Sequence, residues 1–345
     1  MPTSPPPAPA PAGTTALAVA SLRHRYGERI ALHDLTFSVA RGEIFGLLGP
    51  NGGGKTTLFR ILSTLLSPTA GQVLVFGDSA RERPEVVRRH LGVVFQSPAL
   101  DDRLTVAENL RHHGHLYGLS GRALADRATA VLEALSLAPR RGDLVGSLSG
   151  GLKRRVEVAK ALMPEPRLLL LDEPSTGLDP RARRELWDQI VALRDRTGAT
   201  VVLTTHLMEE AGGCDRVGIL HEGRLVALGT PADLTAAVGG DVLWVTPAGD
   251  GAAPSPSHAA SAGHDVTAPT ALRPPGGAAA LAADISARFG VRADVVDGRV
   301  RMERARAHEF IAALIEAFPG RIDAVTMTRP TLEDVFVHHT GTLFV

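Results

Sequence analysis

The sequence predicts an α/β fold with a mostly parallel core sheet, an antiparallel β subdomain and a helical insert, followed by a smaller α+β module. Three observations support this prediction. A glycine-rich loop, residues 49–57, stands between a short apolar strand and a stretch with helical apolar spacing. Four consecutive leucines at 168–171 predict a strand buried on both faces, as is typical of parallel sheets. After residue 240, the strand and helix patterns alternate as β-α-β-β-α-β.

Length and composition fit this organisation. A chain of 345 residues is expected to form about two domains. The predicted parts are a disordered Pro/Ala-rich tail at 1–15, a first domain at 16–238 with a helical insert at 103–146, and an accessory domain at 241–345 with a flexible insertion at 246–277.

Composition also argues against several classes of protein. Lys+Arg equals Asp+Glu, so the basic excess typical of nucleic-acid binding is absent, although balanced overall charge leaves a local basic patch open. The single cysteine, Cys214, excludes an internal disulfide framework, and we expect it to be a packed structural residue. No run approaches the roughly 18 apolar residues of a membrane span. The Pro/Ala-rich start lacks the basic and apolar regions of a secretion signal.

The first strands are predicted at 16–22 and 31–39, with a turn at Gly27-Glu28 between them. Tyr26 stands just before this turn and is one of only two tyrosines in the chain. Its ring could stack on a nucleotide base or simply plug the edge of a sheet, and its position alone does not separate these alternatives.

The glycine-rich loop matches the phosphate-loop pattern G-x-x-x-x-G-K-[ST] at Gly49, Gly54, Lys55 and Thr56. Its glycines allow backbone conformations in which successive N–H groups point at phosphate oxygens. Lys55 supplies a point charge for the phosphates, and the Thr56 hydroxyl is a candidate Mg²⁺ ligand. The predicted nucleotide-binding residues of the loop are Gly49, Pro50, Asn51, Gly52, Gly53, Gly54, Lys55, Thr56 and Thr57.

Downstream of the loop helix, predicted at 57–66, come strands at 73–77 and 91–95, and the second of these ends at Gln96. A glutamine in that position can reach a site at the carboxyl edge of the sheet. Within the insert at 103–146, the spacing of apolar residues predicts helices over 106–117, 121–137 and 139–145.

A Ser-Gly-Gly turn, Ser149-Gly150-Gly151, opens the next helix, which we predict Ser149 caps. Its exposed N–H groups could form a second anion site, although the same pattern also occurs in ordinary capped helices.

The four leucines lead into Asp172-Glu173. Adjacent carboxylates at the end of a buried strand are costly unless a cation or a catalytic role explains them. With a phosphate loop upstream, Asp172 is the expected Mg²⁺ partner and Glu173 the residue that polarises an attacking water. The next buried strand, 200–205, ends at His206, at the sheet edge where we also expect Gln96.

The remaining chain carries no catalytic cluster. A hairpin is predicted at 217–227 and a short helix at 230–238. The β-α-β-β-α-β series from 241 to 328 indicates a ferredoxin-like unit, and Thr331 is expected to cap a last helix. The pair His338-His339 is expected to be solvated, because no cysteine or second histidine pair stands at ligand spacing.

Together, these motifs resemble the ATP-binding cassette (ABC) nucleotide-binding subunits, a branch of the P-loop NTPases, over about residues 16–235. In this resemblance Gly49–Thr57 is the phosphate loop and Tyr26 the aromatic residue that stacks on adenine. Gln96 resembles the Q-loop glutamine, which contacts Mg²⁺ or the attacking water and senses the transporter. Asp172 and Glu173 resemble the Walker B aspartate and the general base.

Three further motifs continue the resemblance. The stretch 148–151 resembles the signature motif, which acts on the ATP of a second subunit. The stretch 175–179, ending at Asp179, resembles the D-loop at the dimer contact, and His206 resembles the switch histidine.

One departure from the common pattern indicates a branch of the family. Leu152 replaces the glutamine that usually ends the signature, and Lys153-Arg154-Arg155 follows it. This run, together with the C-terminal stretch 329–336, resembles drug-resistance exporters of the daunorubicin type, in which a separate membrane subunit carries the pore. The insertion at 246–277 is longer than this branch usually shows.

The resemblance implies a subunit that binds and hydrolyses ATP with Mg²⁺, forms a homodimer, and lies peripherally at the cytoplasmic face of the cell membrane. It implies an integral membrane permease as partner, with no nucleic acid. We expect the coupling surface to combine the insert at 103–146 with Gln96, and Leu100 and Leu104 to be buried against the permease.

Two other classes remain open from sequence. Soluble ABC proteins act on DNA or ribosomes, but DNA-repair relatives carry coiled coils or zinc modules between phosphate loop and signature. Here that gap runs only from Thr57 to Leu148 and holds no cysteine, and the chain has one cassette where ribosome-bound relatives have two. Importer ATPases usually end in a regulatory β-barrel instead of an αβ unit.

Overall fold

A computed structural model of the chain describes residues 14–248 and 277–344. These residues form two compact units, one ending at Pro231 and the other running from Ala232 to Phe344. Most of the predicted tail and of the predicted insertion at 246–277 lies outside the described residues. The predicted domain limits at 238 and 241 stay predictions.

The first unit contains two sheets. Its strands are β1 (Thr15–Tyr26), β2 (Arg29–Ala40), β3 (Ile44–Leu48), β4 (Ala70–Val75), β5 (Asp78–Ser79), β6 (Leu91–Val94), β7 (Leu168–Asp172), β8 (Thr200–Thr205), β9 (Arg216–His221) and β10 (Arg224–Gly229). One sheet is antiparallel, in the order β2-β1-β4-β5. The other has the order β10-β9-β3-β8-β7-β6 and is parallel except for β10. The predicted α/β fold is confirmed.

Helices pack around these sheets. They are α1 (Lys55–Leu62), α2 (Pro84–Arg88), α3 (Val106–Leu116), α4 (Gly121–Ala134), α5 (Gly150–Leu162), α6 (Pro180–Thr197) and α7 (Met208–Gly212). The next helix, α8 (Pro231–Ala236), begins at the last residue of the first unit, and its other residues belong to the second. None of the helices within 14–248 and 277–344 has the length and apolar character needed to cross a bilayer.

Two predicted helices differ from the structure. The third helix of the insert, predicted over 139–145, is replaced by short 3₁₀ turns. The carbonyl groups of this segment instead accept hydrogen bonds from the first turn of α3. The N–H of Val106 donates to Asp143 O at 3.0 Å, and the N–H of Ala107 donates to Arg141 O at 3.0 Å. Helix α1 ends at Leu62, short of the predicted residue 66.

The core of the first unit lies where both sheets meet α1. Phe37 of β2 stacks on Phe45 of β3, with ring centroids 5.4 Å apart. Leu58 and Phe59 of α1 belong to the same buried cluster. Burial of this kind contributes roughly 25 cal/mol per Å² of apolar surface, so it fixes α1 firmly against the strands. The phosphate loop is thereby anchored at both of its ends.

The second unit is built from β11 (Asp241–Pro247), α9 (Ala278–Phe289), β12 (Ala293–Val296), β13 (Arg299–Arg304), α10 (Ala307–Ala317), β14 (Ile322–Thr328) and α11 (Leu332–Thr340). Its antiparallel sheet has the order β12-β13-β11-β14, which confirms the ferredoxin-like prediction. Its own core includes Leu243, Phe310 and Leu314. Thr331 caps α11 through a capping box with Asp334, as predicted.

Candidate active site

The glycine-rich loop connects β3, at the centre of the parallel sheet, to α1. The N–H of Gly49 donates to Thr205 O at 3.2 Å, which ties the loop to the end of β8. A Cβ atom on Gly49 would lie 2.3 Å from Leu220 O, so no other residue fits there without a shift of the backbone. Gly54 has φ +104, in the left-handed region that favours glycine.

The rest of the loop leaves backbone donors available. Gly52 has φ +79 and, like Asn51 and Thr56, is exposed. The N–H of Gly53 donates to Pro50 O at 3.2 Å, which closes a tight turn. Gly54 occupies the N-cap of α1 without a side chain to cap it, so first-turn N–H groups remain free to meet an anion.

Lys55 lies folded over this loop and is only 4% exposed. Its Nζ donates to Gly49 O at 2.6 Å and to Pro50 O at 3.1 Å, and lies 3.4 Å from Glu173 Oε1. Burial lowers the pKa of Lys55, although Glu173 and Asp172 act in the opposite direction. The ammonium is therefore a partly desolvated positive charge, and a polyphosphate in the loop would stabilise it.

Asp172 ends β7 and is 5% exposed. Its Oδ1 accepts a hydrogen bond from Thr204 Oγ1 at 2.6 Å. Burial raises the pKa of Asp172, opposed by that hydrogen bond and by the nearby Lys55 and Arg154 charges. A cation beside this carboxylate would favour its ionised form.

Glu173 gathers polar side chains from several elements. Its Oε2 accepts from Gln96 Nε2 at 3.3 Å and from Thr176 Oγ1 at 3.1 Å, and lies 3.4 Å from His206 Nδ1. Its Oε1 faces Lys55. Lys55, Gln96, Glu173 and His206, all singled out from sequence, therefore meet around one carboxylate at the carboxyl edge of the sheet.

The backbone of Glu173 is also unusual. Its φ is 44°, a left-handed conformation that costs roughly 1–2 kcal/mol for a residue with a side chain. The N–H of Glu173 donates to Thr204 O at 3.1 Å and to Thr204 Oγ1 at 3.0 Å, and Arg154 Nη2 donates to the carbonyl of Glu173 at 3.1 Å. These bonds hold a strained backbone that aims the carboxylate, as is common at functional sites.

The other predicted site residues lie outside this cluster. Ser149 caps α5, with its Oγ accepting from Leu152 N at 3.4 Å, and Gly150 and Gly151 form the first turn of that helix. Asp179 caps α6 in the same way. Tyr26 is 46% exposed and packs edge-on against His24, with the two ring centroids 4.6 Å apart. Within the described part of the chain, no hydrogen bond or ion pair joins Ser149, Asp179 or Tyr26 to Glu173.

Two residues that organise the site were missed from sequence. Thr204 reads as one more β-branched residue of a buried strand, yet it bonds both Asp172 and Glu173. Arg154 stood within a basic run that was interpreted only as a marker of the exporter branch. Its signal was available: Arg154 is in helical register with the buried residues Val158 and Ala161, so its side chain faces the protein interior.

Comparisons with known proteins agree with this geometry. A family model described as "ABC transporter" matches residues 32–176, and one described as "AAA domain, putative AbiEii toxin, Type IV TA system" matches 144–210. The daunorubicin resistance ATP-binding protein DrrA3 of Streptomyces coeruleorubidus is 40% identical over 95% of this chain and 96% of its own length.

Other relatives match over about two thirds of this chain. The Nod factor export ATP-binding protein I of Rhizobium sp. (strain N33) is 43% identical over 63% of this chain and 71% of its own. The probable multidrug ABC transporter ATP-binding protein YbhF of Escherichia coli is 44% identical over 65% of this chain, which spans 39% of that protein.

Solved structures agree as well. The Clostridium perfringens protein cbiO1, described as part of an ABC transporter complex, superposes with a TM-score of 0.61 at 30% identity, over 65% of this chain and 91% of its own. An ATP-binding cassette in its ADP conformation gives a TM-score of 0.59 at 25% identity, over 64% and 92% of the two chains.

Proposed function

The chain belongs to the ABC transporter family as an ATP-binding, ATP-hydrolysing subunit of an exporter, and from this we propose that the cluster around Glu173 is its hydrolytic site. One observation carries the proposal. A single carboxylate, next to the phosphate loop, contacts Lys55, Gln96 and the His206 ring at 3.3–3.4 Å. A base, a cation and two polar side chains therefore lie together beside the phosphate loop, which supports the proposed role.

Each residue then has a distinct role. The loop N–H groups and Lys55 bind the phosphate oxygens and neutralise charge as the bond from the bridging oxygen to the γ-phosphorus breaks. Glu173 positions the attacking water and accepts its proton, and the products are ADP and inorganic phosphate. Gln96 and His206 hold the Glu173 carboxylate from two sides. Tyr26, exposed at the end of β1, stacks on the adenine.

The donor set also suits Mg²⁺. Thr56 offers a hydroxyl, Asp172 a carboxylate and Gln96 an amide oxygen, and Mg²⁺ prefers such oxygen ligands together with substrate phosphates. We propose that these three residues hold the ion, directly or through water. An ion held there would supply Lewis-acid stabilisation of the charge on the phosphate. The positive charge of the ion would also lower the pKa of Asp172 and so oppose the effect of burial, which raises it.

A second copy of the chain completes the site. Among the described residues, no hydrogen bond or ion pair joins Ser149 or Asp179 to Glu173. This supports a role of Ser149, Gly150, Gly151 and Asp179 towards the nucleotide of a partner copy. We propose a two-fold symmetric, head-to-tail dimer that sandwiches two ATP molecules, with an isologous interface.

The names of the relatives support the transport role and its direction. They describe daunorubicin resistance, Nod factor export and probable multidrug transport. We propose that two copies of this chain lie peripherally at the cytoplasmic face of the membrane. There they pair with a separate permease and drive export of hydrophobic or drug-like molecules. The soluble and importer alternatives have no such support.

The coupling surface provides the test of this proposal. Leu104 is half-buried in the segment between Gln96 and α3, and a glutamate there would introduce a charge into an apolar contact with the permease. In co-expression with the proposed permease, Leu100→Glu and Leu104→Glu should move the chain from the membrane fraction to the soluble fraction. ATP turnover of the isolated chain should change by less than about twofold.

Leu65→Glu is the matched control, because Leu65 is 63% exposed and lies outside the segment. This variant should stay in the membrane fraction. The exporter proposal fails if the wild-type chain never associates with the permease and instead co-purifies with ribosomes or DNA.

A further inference from the structure

Arg154 of α5 is a buried cation whose bonds go to backbone carbonyls. It is 7% exposed, and among the described residues it forms no ion pair with a carboxylate. Its Nη1 donates to Phe95 O at 2.7 Å, and its Nη2 to Gln96 O at 3.4 Å and to Glu173 O at 3.1 Å. Burying a guanidinium costs desolvation free energy, and packing alone would not offset that cost.

Two more polar side chains of α5 bind the backbone of Ala99, which follows Gln96 by three residues. Glu157, 3% exposed, accepts from the N–H of Ala99 at 2.6 Å. Lys160 donates to the carbonyl of Ala99 at 2.6 Å and pairs with Glu157 at 3.2 Å. Arg154, Glu157 and Lys160 are three residues apart, so they lie along one side of the helix. Both polar groups of the Ala99 backbone are thereby bound by α5.

The contacts of Arg154 involve two residues of the proposed hydrolytic site, Gln96 and Glu173. Gln96 and Glu173 bond to each other through their side chains at 3.3 Å, and Arg154 binds the backbone carbonyl of both residues. One planar guanidinium therefore sets the distance between the two main chains that carry this pair. Glu157 and Lys160 fix the chain that leaves Gln96.

We propose that Arg154, supported by Glu157 and Lys160, is a positioning residue for ATP hydrolysis that acts through Gln96 and holds its side chain against Glu173. The inference rests on the proposed function, because it assigns a role within the same hydrolytic site. Arg154 touches neither nucleotide nor water in this account. Its effect on turnover should therefore disappear once the Gln96 side chain is removed.

A double-mutant cycle on the full-length chain tests this. Arg154→Lys keeps the charge but loses the planar fork that reaches three carbonyls. It should lower kcat for ATP by about tenfold and leave KM for ATP within about twofold, since the phosphate loop is untouched. Gln96→Ala should lower kcat at least as much. The double variant Arg154→Lys/Gln96→Ala should be no slower than Gln96→Ala alone.

Arg127→Lys is the matched control. Arg127 also donates to two backbone carbonyls at the end of α5, Leu162 O at 3.0 Å and Met163 O at 3.1 Å, but it does not reach the segment after β6. Its kcat should equal that of the wild-type chain. Glu157→Gln gives a milder second variant, which retains an acceptor for Ala99, and it should lower kcat several-fold and accelerate amide hydrogen exchange at Ala99.

The results distinguish failure of the positioning role of Arg154 from failure of the proposed ATP hydrolysis. If the losses from Arg154→Lys and Gln96→Ala multiply in the double variant, or if Arg127→Lys costs as much as Arg154→Lys, the positioning role is wrong. A wild-type kcat in both Arg154→Lys and Glu157→Gln would equally overturn it. If the wild-type and Arg127→Lys chains bind ATP but do not hydrolyse it, the proposed function itself fails.

Discussion

At the scale of single residues, Glu173 lies at the centre of the candidate site. Its carboxylate meets Lys55, Gln96 and His206, while its own φ of 44° is held by bonds to Thr204 and Arg154. A left-handed backbone at a non-glycine position stores strain that the surrounding structure must offset. The strain has a clear consequence here, since it turns the side chain of the residue after β7 towards the phosphate loop.

Lys55→Ala is the residue-scale prediction. The substitution removes a buried ammonium that contacts two loop carbonyls and Glu173, so the loop loses its fixed positive charge. We expect the dissociation constant for ATP to rise by at least about tenfold, since truncating a buried charged contact typically costs 2–5 kcal/mol. Equilibrium binding of a fluorescent ATP analogue measures it. Arg122→Ala, an exposed cation on α4, should bind like the wild-type chain.

Sequence reasoning singled out most residues of the proposed site but not the residues that support them. Asp172-Glu173 stood out because paired carboxylates end an apolar strand, and Lys55 because a known loop pattern surrounds it. Thr204 gave no such sign, since a threonine in a strand is common, and the helical register of Arg154 is easily overlooked within a basic run. Their roles depend on which neighbours lie within hydrogen-bond distance, and that is fixed only by tertiary packing.

At the scale of elements, periodicity predicted two helices of the insert well and failed at the third. The helices predicted over 106–117 and 121–137 begin at the predicted residues, as α3 and α4. The segment 139–145 also has helix-compatible residues, but its backbone instead closes the start of α3 through bonds at Val106 and Ala107. Non-local hydrogen bonds of this kind leave no periodic trace in a sequence.

His113 gives the element-scale prediction. It is half-buried on α3, and burial, reinforced by the Lys160 charge, lowers the pKa of His113 to about 4. The unfolded chain, with an ordinary histidine pKa, binds more protons between pH 6.5 and 4, so stability falls as the pH drops through this window. His113→Gln should lessen that loss by about 2 kcal/mol.

Urea unfolding at pH 7 and pH 4.5 measures the difference. His112→Gln is the matched control, because His112 is the exposed neighbour on the same helix, and its pH dependence should follow that of the wild-type chain. Parallel loss of stability in wild-type and His113→Gln chains would show that His113 does not titrate with folding.

At the scale of the whole molecule, each unit has its own buried core, and the proposed hydrolytic cluster belongs to the first. Within the part of the chain that the structure describes, no hydrogen bond joins the Ser149 turn to Glu173. This separation is what a head-to-tail dimer would use, with ATP between the two halves. The ferredoxin-like order of the second unit was predictable from its alternating pattern, whereas its role was not, because its described residues show no cluster of reactive side chains.

Sedimentation of Glu173→Gln tests the dimer. Without hydrolysis, bound ATP should keep two copies together, so the variant should sediment as a dimer with ATP and as a monomer without it. Lys55→Ala/Glu173→Gln is the matched control, since a chain that cannot bind ATP should stay monomeric in both conditions. A monomer at saturating ATP and high protein concentration, with the permease present, would count against the sandwich.

The central claim is that Glu173 is the base of an ATP-hydrolysing site, and the turnover of Glu173→Gln tests it most directly. The amide keeps the size of the side chain but cannot accept the proton of water. The variant should therefore bind ATP as tightly as the wild-type chain while hydrolysing it about 10²–10⁴ times more slowly. Hydrolysis at the wild-type rate, with ATP binding intact, would contradict the claim and place the base elsewhere.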